Sequence, residues 1–94
     1  MSISPDAKQV APRIIVAEDE AIIRMDLVEM LREAGYNVIG EAANGREAIS
    51  LARHLKPDLA ILDVKMPEID GISAAELIVS EKLAAVLMLS LIHI

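Results

Sequence analysis

Leu59-Ala60-Ile61-Leu62-Asp63 is the stretch on which the reading of this chain turns. Four consecutive apolar residues ending on a carboxylate have neither a helical period nor a strict alternation, which fits a strand buried on both faces of a parallel sheet. An earlier run has the same form: Ile14-Ile15-Val16-Ala17 leads into Glu18-Asp19. If both runs are parallel strands, their carboxyl ends lie at one edge and bring Glu18, Asp19 and Asp63 together beside a crevice. Two unit negative charges about 4 Å apart repel by roughly 4 kcal/mol at an effective dielectric near 20, so such a cluster calls for a proton or a cation. A hard divalent metal is the simplest answer.

Working outward, the segment after the first run predicts a helix opened by Asp19 or Glu20, with Ile23, Leu27, Met30, Leu31 and Ala34 as its buried stripe and Gly35 as its stop. Tyr36 to Ala42 predicts a second strand, with Tyr36 as a packing residue. Asn44-Gly45-Arg46-Glu47 has the form of a capping box, and Ala48, Ile49, Ala52 and Leu55 give the helix behind it an apolar face. Pro57 ends that helix, and Asp58 to Leu62 predicts the third strand with Asp63 at its exit. Val64-Lys65-Met66-Pro67 predicts an extended loop, because a residue before proline avoids the helical region. Asp70-Gly71 then predicts a turn or cap before a helix from about Ile72 to Ser80, and Ala85 to Ser90 a fourth strand.

Strand starts near 13, 37, 58 and 85 are spaced as strand-helix units, so the fold class is α/β: a doubly wound, open parallel sheet with right-handed crossovers. The expected organisation is an N-terminal arm over 1–12, one domain over 13–90 and a tail over 91–94. The fourth strand has no following helix in the pattern, so it is expected to form an exposed edge suited to self-association.

Length and composition narrow the function classes. With 94 residues the chain has room for one domain and one modest core, built from aliphatic residues because Tyr36 is the only aromatic. The net charge of -6 and the lack of any Lys/Arg run argue against a nucleic-acid surface. The absence of cysteine excludes thiol chemistry and fits a reducing, cytoplasmic location. No membrane segment is expected, since the apolar stretch from Leu83 has about 12 residues against the roughly 20 that span a bilayer.

Glu18-Asp19 after the first strand, Asp63 after the third, the Lys65-Met66-Pro67 turn, Asp70-Gly71 and Ser90 at the end of the fourth strand together resemble the receiver domain of two-component response regulators, over roughly Arg13 to Ser90. The resemblance implies a flavodoxin-like fold with strand order 2-1-3-4-5, here with four of the five strand-helix units and no helix after the fourth strand. It implies that Asp63 is the phosphoacceptor, taking a phosphoryl group from a sensor histidine kinase. It also implies that Mg²⁺ is held by Glu18, Asp19, Asp63 and the backbone carbonyl of Lys65, and that Ser90 is the switch hydroxyl. Such a domain is a signalling module and not an enzyme. Receivers also carry a lysine on a fifth strand and an aromatic switch residue, and this sequence contains neither beyond Ser90. The stretch from Ala17 to Ala21, Gly35-Tyr36 and the Asp63 to Pro67 segment look most like receivers attached to RNA-binding antitermination modules, so any RNA contact would belong to another part of a longer protein.

Other readings stand beside this one. Acidic residues in the first turn of a helix are favoured by its dipole by about 0.3–1 kcal/mol, so Glu18, Asp19 and Glu20 could be structural, and a lone Asp63 could start a turn. Ser90 could simply bond backbone. His54 and His93 lack the spacing of a zinc site and are expected in solvent. A phosphate-cofactor binder would need backbone amides where this loop has carboxylates. A hydrolase of the haloacid dehalogenase type would need a second aspartate where Lys65 stands. The remaining rival is an inert or interaction-only receiver fragment.

Overall fold

The computed structural model describes residues 11–66 and 69–89. Seven elements alternate along them: β1 (Arg13–Ala17), α1 (Ala21–Glu33), β2 (Asn37–Ala42), α2 (Gly45–Leu55), β3 (Leu59–Asp63), α3 (Gly71–Ser80) and β4 (Ala85–Leu89). All strand pairings are parallel and the order is β2-β1-β3-β4. The two unbroken apolar runs are therefore the two inner strands. Each alternates its side chains between the faces: Ile14, Val16 and Ile61 pack toward α1, while Ile15, Ala17, Ala60 and Leu62 pack toward α2 and α3. Ile14, Ile15, Val16, Leu62 and Ile78 are the largest fully buried side chains, each worth about 1.5–3 kcal/mol of transfer free energy.

Helix ends follow the local chemistry. The Asn44 side chain accepts from the Glu47 amide at 2.9 Å, and Glu47 reaches back to the Ala43 amide at 2.8 Å, closing the expected box. Gly35 stops α1 with φ +95°, its amide donating to Arg32 and the Tyr36 amide to Leu31, a Schellman motif. The same pattern of bonds ends α3, but there the left-handed position is Lys82, with φ 56°.

Several boundaries and faces differ from expectation. β2 starts at Asn37, leaving Tyr36 outside it and 43% exposed, so Tyr36 is not a packing residue. β3 runs Leu59–Asp63, which makes Asp63 its last residue, and α3 starts at Gly71, one residue before the expected position. On α1 the expected stripe is corrected: Met30 is 64% exposed, Ala34 is an exposed cap, and the buried residue is Val28, flanked by Leu27 and Leu31. The inward face is rotated by about 60° from the predicted one, at 100° per residue. Apolar residues at 22, 23, 25, 27, 28, 30 and 31 surround most of this helix, so periodicity alone could not select a face.

β4 is, with β2, one of the two outer strands. It is bonded to β3 along Ala85 to Leu89 and half covered by α3, with Leu87 50% exposed on the other face. Residues 1–10 of the expected arm, Pro67, Ser90, His93 and the 91–94 tail lie outside the described residues.

Candidate metal and phosphoacceptor site

The carboxyl ends of β1 and β3 are neighbours, because Ala17 pairs with Leu62 in register. Glu18 follows the first and Asp63 ends the second, and both are buried, at 2% and 7% exposure. Asp19 is exposed on the loop above them. One carboxylate oxygen from each of Glu18, Asp19 and Asp63 lies within 4.8 Å of the other two. The three positions singled out in the sequence thus meet as one cluster. Neither the Arg24–Glu41 nor the Arg53–Glu81 ion pair includes a carboxylate of the cluster.

The cost of this arrangement appears in Glu18, whose pKa is pushed up to about 7. Burial is the largest cause, followed by the hydrogen bond its protonated carboxyl makes to Asp63 and by the charge on Asp63. The Glu20 amide, donating to Glu18 Oε1 at 3.4 Å, is a weak counterweight. Without a cation the pair eases its repulsion by holding a proton. Three oxygen donors of this kind suit a hard divalent ion such as Mg²⁺, which prefers few carboxylates and keeps positions for other oxygens.

A cleft of about 570 Å³ opens beside the cluster, lined by Asp19, Val64, Lys65, Met66, Asp70 and Ile72. Lys65 lines the cleft wall and is exposed. Asp70 lines the cleft but accepts from the Ser73 amide at 2.8 Å as the cap of α3, which holds its carboxyl below the ordinary range. Its cap role agrees with the sequence reading. His54 is exposed and shares a hydrogen bond with the Ser50 carbonyl, away from the cluster. Ser90 falls outside the described residues, so it is not placed relative to Asp63.

Two supports were not legible in the sequence. The helix α3 approaches the site so closely that a Cβ on Gly71 would run into the Asp63 carbonyl, while the Gly71 amide donates to Val64 at 3.1 Å. A Cβ on Gly45 would likewise meet the Ile69 carbonyl, so α2 and the β3–α3 loop touch through backbone. The second support is Arg24, whose Nη1 donates to the Glu18 carbonyl at 2.7 Å. An arginine on a helix reads as solvent-exposed by default, and with the inward face of α1 hidden by its many apolar residues the sequence held no signal for this bond.

Residues 14–93 match the model of the response regulator receiver domain family. The chain is 56% identical over 86 residues to the transcriptional regulatory protein PdtaR of Mycobacterium tuberculosis, covering 90% of this chain and 42% of that protein. It is 47% identical over 62 residues to the chemotaxis protein CheY of Thermotoga maritima, covering 66% of this chain and 52% of that one. Among solved structures, the response regulator domain of Thermotoga maritima CheB superposes with a TM-score of 0.81 at 35% identity, over 86% of this chain and 61% of that one.

Proposed function

The chain belongs to the response regulator receiver domain family, and on that premise we propose that it accepts a phosphoryl group on Asp63 from a sensor histidine kinase. The observation that carries the reading is the meeting of Asp63, Glu18 and Asp19 within 4.8 Å at the carboxyl edge of the sheet, next to an open cleft. In this reading an Asp63 carboxylate oxygen attacks the phosphorus of a phosphohistidine, the P–N bond breaks, the imidazole leaves with its electron pair, and an acyl phosphate remains on Asp63. Glu18, Asp19, Asp63 and the carbonyl of Lys65 would hold Mg²⁺, which when bound supplies the positive charge that lets two anions approach. Burial of Glu18 and Asp63 keeps their oxygens in place, and the exposure of Asp19 leaves the cleft side accessible. Ser90 remains the proposed switch hydroxyl, coupling phosphorylation to partner surfaces.

The chain spans about 42% of the length of PdtaR, so the output of a longer protein is a separate matter. A transcriptional regulatory output fits that relative's name, and an RNA-binding antitermination module is the form proposed here. Among the described residues no helix is long and apolar enough to cross a membrane, and a cytoplasmic site of action is part of the same proposal. The deciding experiment offers ³²P-labelled acetyl phosphate, with Mg²⁺, to the intact chain and to Asp63→Asn. Alkali-labile label is expected on the first alone. Equal incorporation in the variant would remove Asp63 from its role, and none in either would favour the inert-fragment reading.

A further inference from the structure

Arg24 lies on the first turns of α1, with its side chain only 20% exposed, and it is turned toward the sheet. Its Nη1 donates to the Glu18 carbonyl at 2.7 Å, and its Nε lies 3.5 Å from Glu41 Oε1 on β2. The Glu18 amide meanwhile donates to the Ala42 carbonyl at 3.0 Å. Glu18 is therefore gripped on both sides of its main chain, by β2 at its N–H and by Arg24 at its C=O. The peptide plane between Glu18 and Asp19 sets the direction in which both carboxylates leave the backbone, so a group that fixes that plane also fixes the spacing of the cluster. We propose that Arg24 is a positioning residue for the cation site, oriented in turn by Glu41; this rests on reading Glu18, Asp19 and Asp63 as that site.

The guanidinium fork suits the task because it addresses a carbonyl with one nitrogen and a carboxylate with another, in a fixed geometry. A lysine keeps the charge but has a single nitrogen on a flexible stem. Other side-chain support for the loop is slight among the described residues: Glu20, at the cap position of α1, makes no side-chain capping bond, and its amide meets Glu18 Oε1 only at 3.4 Å. A guanidinium from one turn further along secures the connection instead.

Mg²⁺ alone, titrated into the intact chain by calorimetry with backbone amide shifts followed in parallel, tests the proposal. The variants are Arg24→Gln, Arg24→Lys, Glu41→Gln and, as a control on the site, Asp19→Asn, all measured at a temperature where each melts cooperatively. About tenfold weaker binding is expected for Arg24→Gln, an intermediate loss for Arg24→Lys, and about threefold for Glu41→Gln. Combining Arg24→Gln with Glu41→Gln should weaken binding no further than Arg24→Gln alone, because the glutamate acts through the arginine. A merely structural arginine would lower the melting temperature and leave Mg²⁺ affinity untouched. Wild-type affinity in folded Arg24→Gln, with binding lost in Asp19→Asn, overturns the positioning role and leaves the site reading intact. Unchanged affinity in Asp19→Asn overturns both. If Arg24→Gln does not fold, wild-type affinity in both Arg24→Lys and Glu41→Gln overturns the proposal.

Discussion

The connections β1–α1 and β2–α2 leave the same edge of the sheet, and both have a glutamate near the helix start, yet their side chains do opposite things. At α2, Asn44 and Glu47 bond to backbone amides and close the helix end. At α1 three acidic residues in a row provide no side-chain cap, and two of them join Asp63 instead. Asp70 at α3 follows the α2 pattern. An acidic residue at a helix N-terminus is therefore structural where its oxygens meet amides. The β1–α1 loop is the exception, since its carboxylates are directed mainly at one another and at Asp63, with only the long 3.4 Å bond from the Glu20 amide to Glu18 Oε1. That contrast separates site from scaffold more sharply than charge counts could.

The largest effect expected from breaking the contrast is on cation binding. Asp19→Asn should weaken Mg²⁺ affinity by about tenfold or more while barely moving the melting temperature, since Asp19 is exposed and each carboxylate charge tunes affinity strongly. Equal affinity by calorimetry would return Asp19 to the structural class. Next is Gly71→Ala, where α3 must retreat from the Asp63 carbonyl; a loss of about 2–3 kcal/mol in denaturant unfolding is expected, together with shifted Asp63 and Val64 amides. An unperturbed variant would mean that the close approach is dispensable.

Glu18 gives the contrast a pH signature. Its folded pKa of about 7 lies above the ordinary 4.5, so the folded state holds the proton more tightly than the unfolded one. The stabilising contribution is fully present below about 4.5 and is lost as pH rises through about 7. Without added metal, the wild type should lose stability over that window relative to Glu18→Gln, by on the order of 3 kcal/mol. Parallel stability curves for the two proteins would refute this.

Smaller effects belong to the scaffold. Asn44→Ala removes a cap and should cost about 1 kcal/mol, with Mg²⁺ affinity unchanged. A changed affinity would blur the division between the two loops. Lys82→Gly should be the mildest, stabilising by about 0.5–1 kcal/mol because glycine adopts the positive φ at the end of α3 without strain. A lower melting temperature would show that the Lys82 side chain contributes more than its backbone conformation costs.

Much of this was legible in the residues themselves. The four strands, their parallel arrangement and the Asn44 box came from local signals: unbroken apolar runs, turn residues and a capping pattern. The α1 face was not legible, because a helix apolar on most sides can be turned inward by a polar contact, and Arg24 bonded to Glu18 and paired with Glu41 provides one. The need for glycine at positions 45 and 71 was equally hidden, since it comes from carbonyls at positions 69 and 63.

Sequence by itself determined that carboxylates end the two inner strands, since a run buried on both faces must be apolar until it leaves the sheet, where charge becomes affordable. Only the tertiary structure decided that Glu18 is buried and carries a raised pKa while its neighbour Asp19 stays exposed. Desolvation and the repulsion between carboxylates depend on separations across the sheet, and adjacency along the chain does not encode those distances.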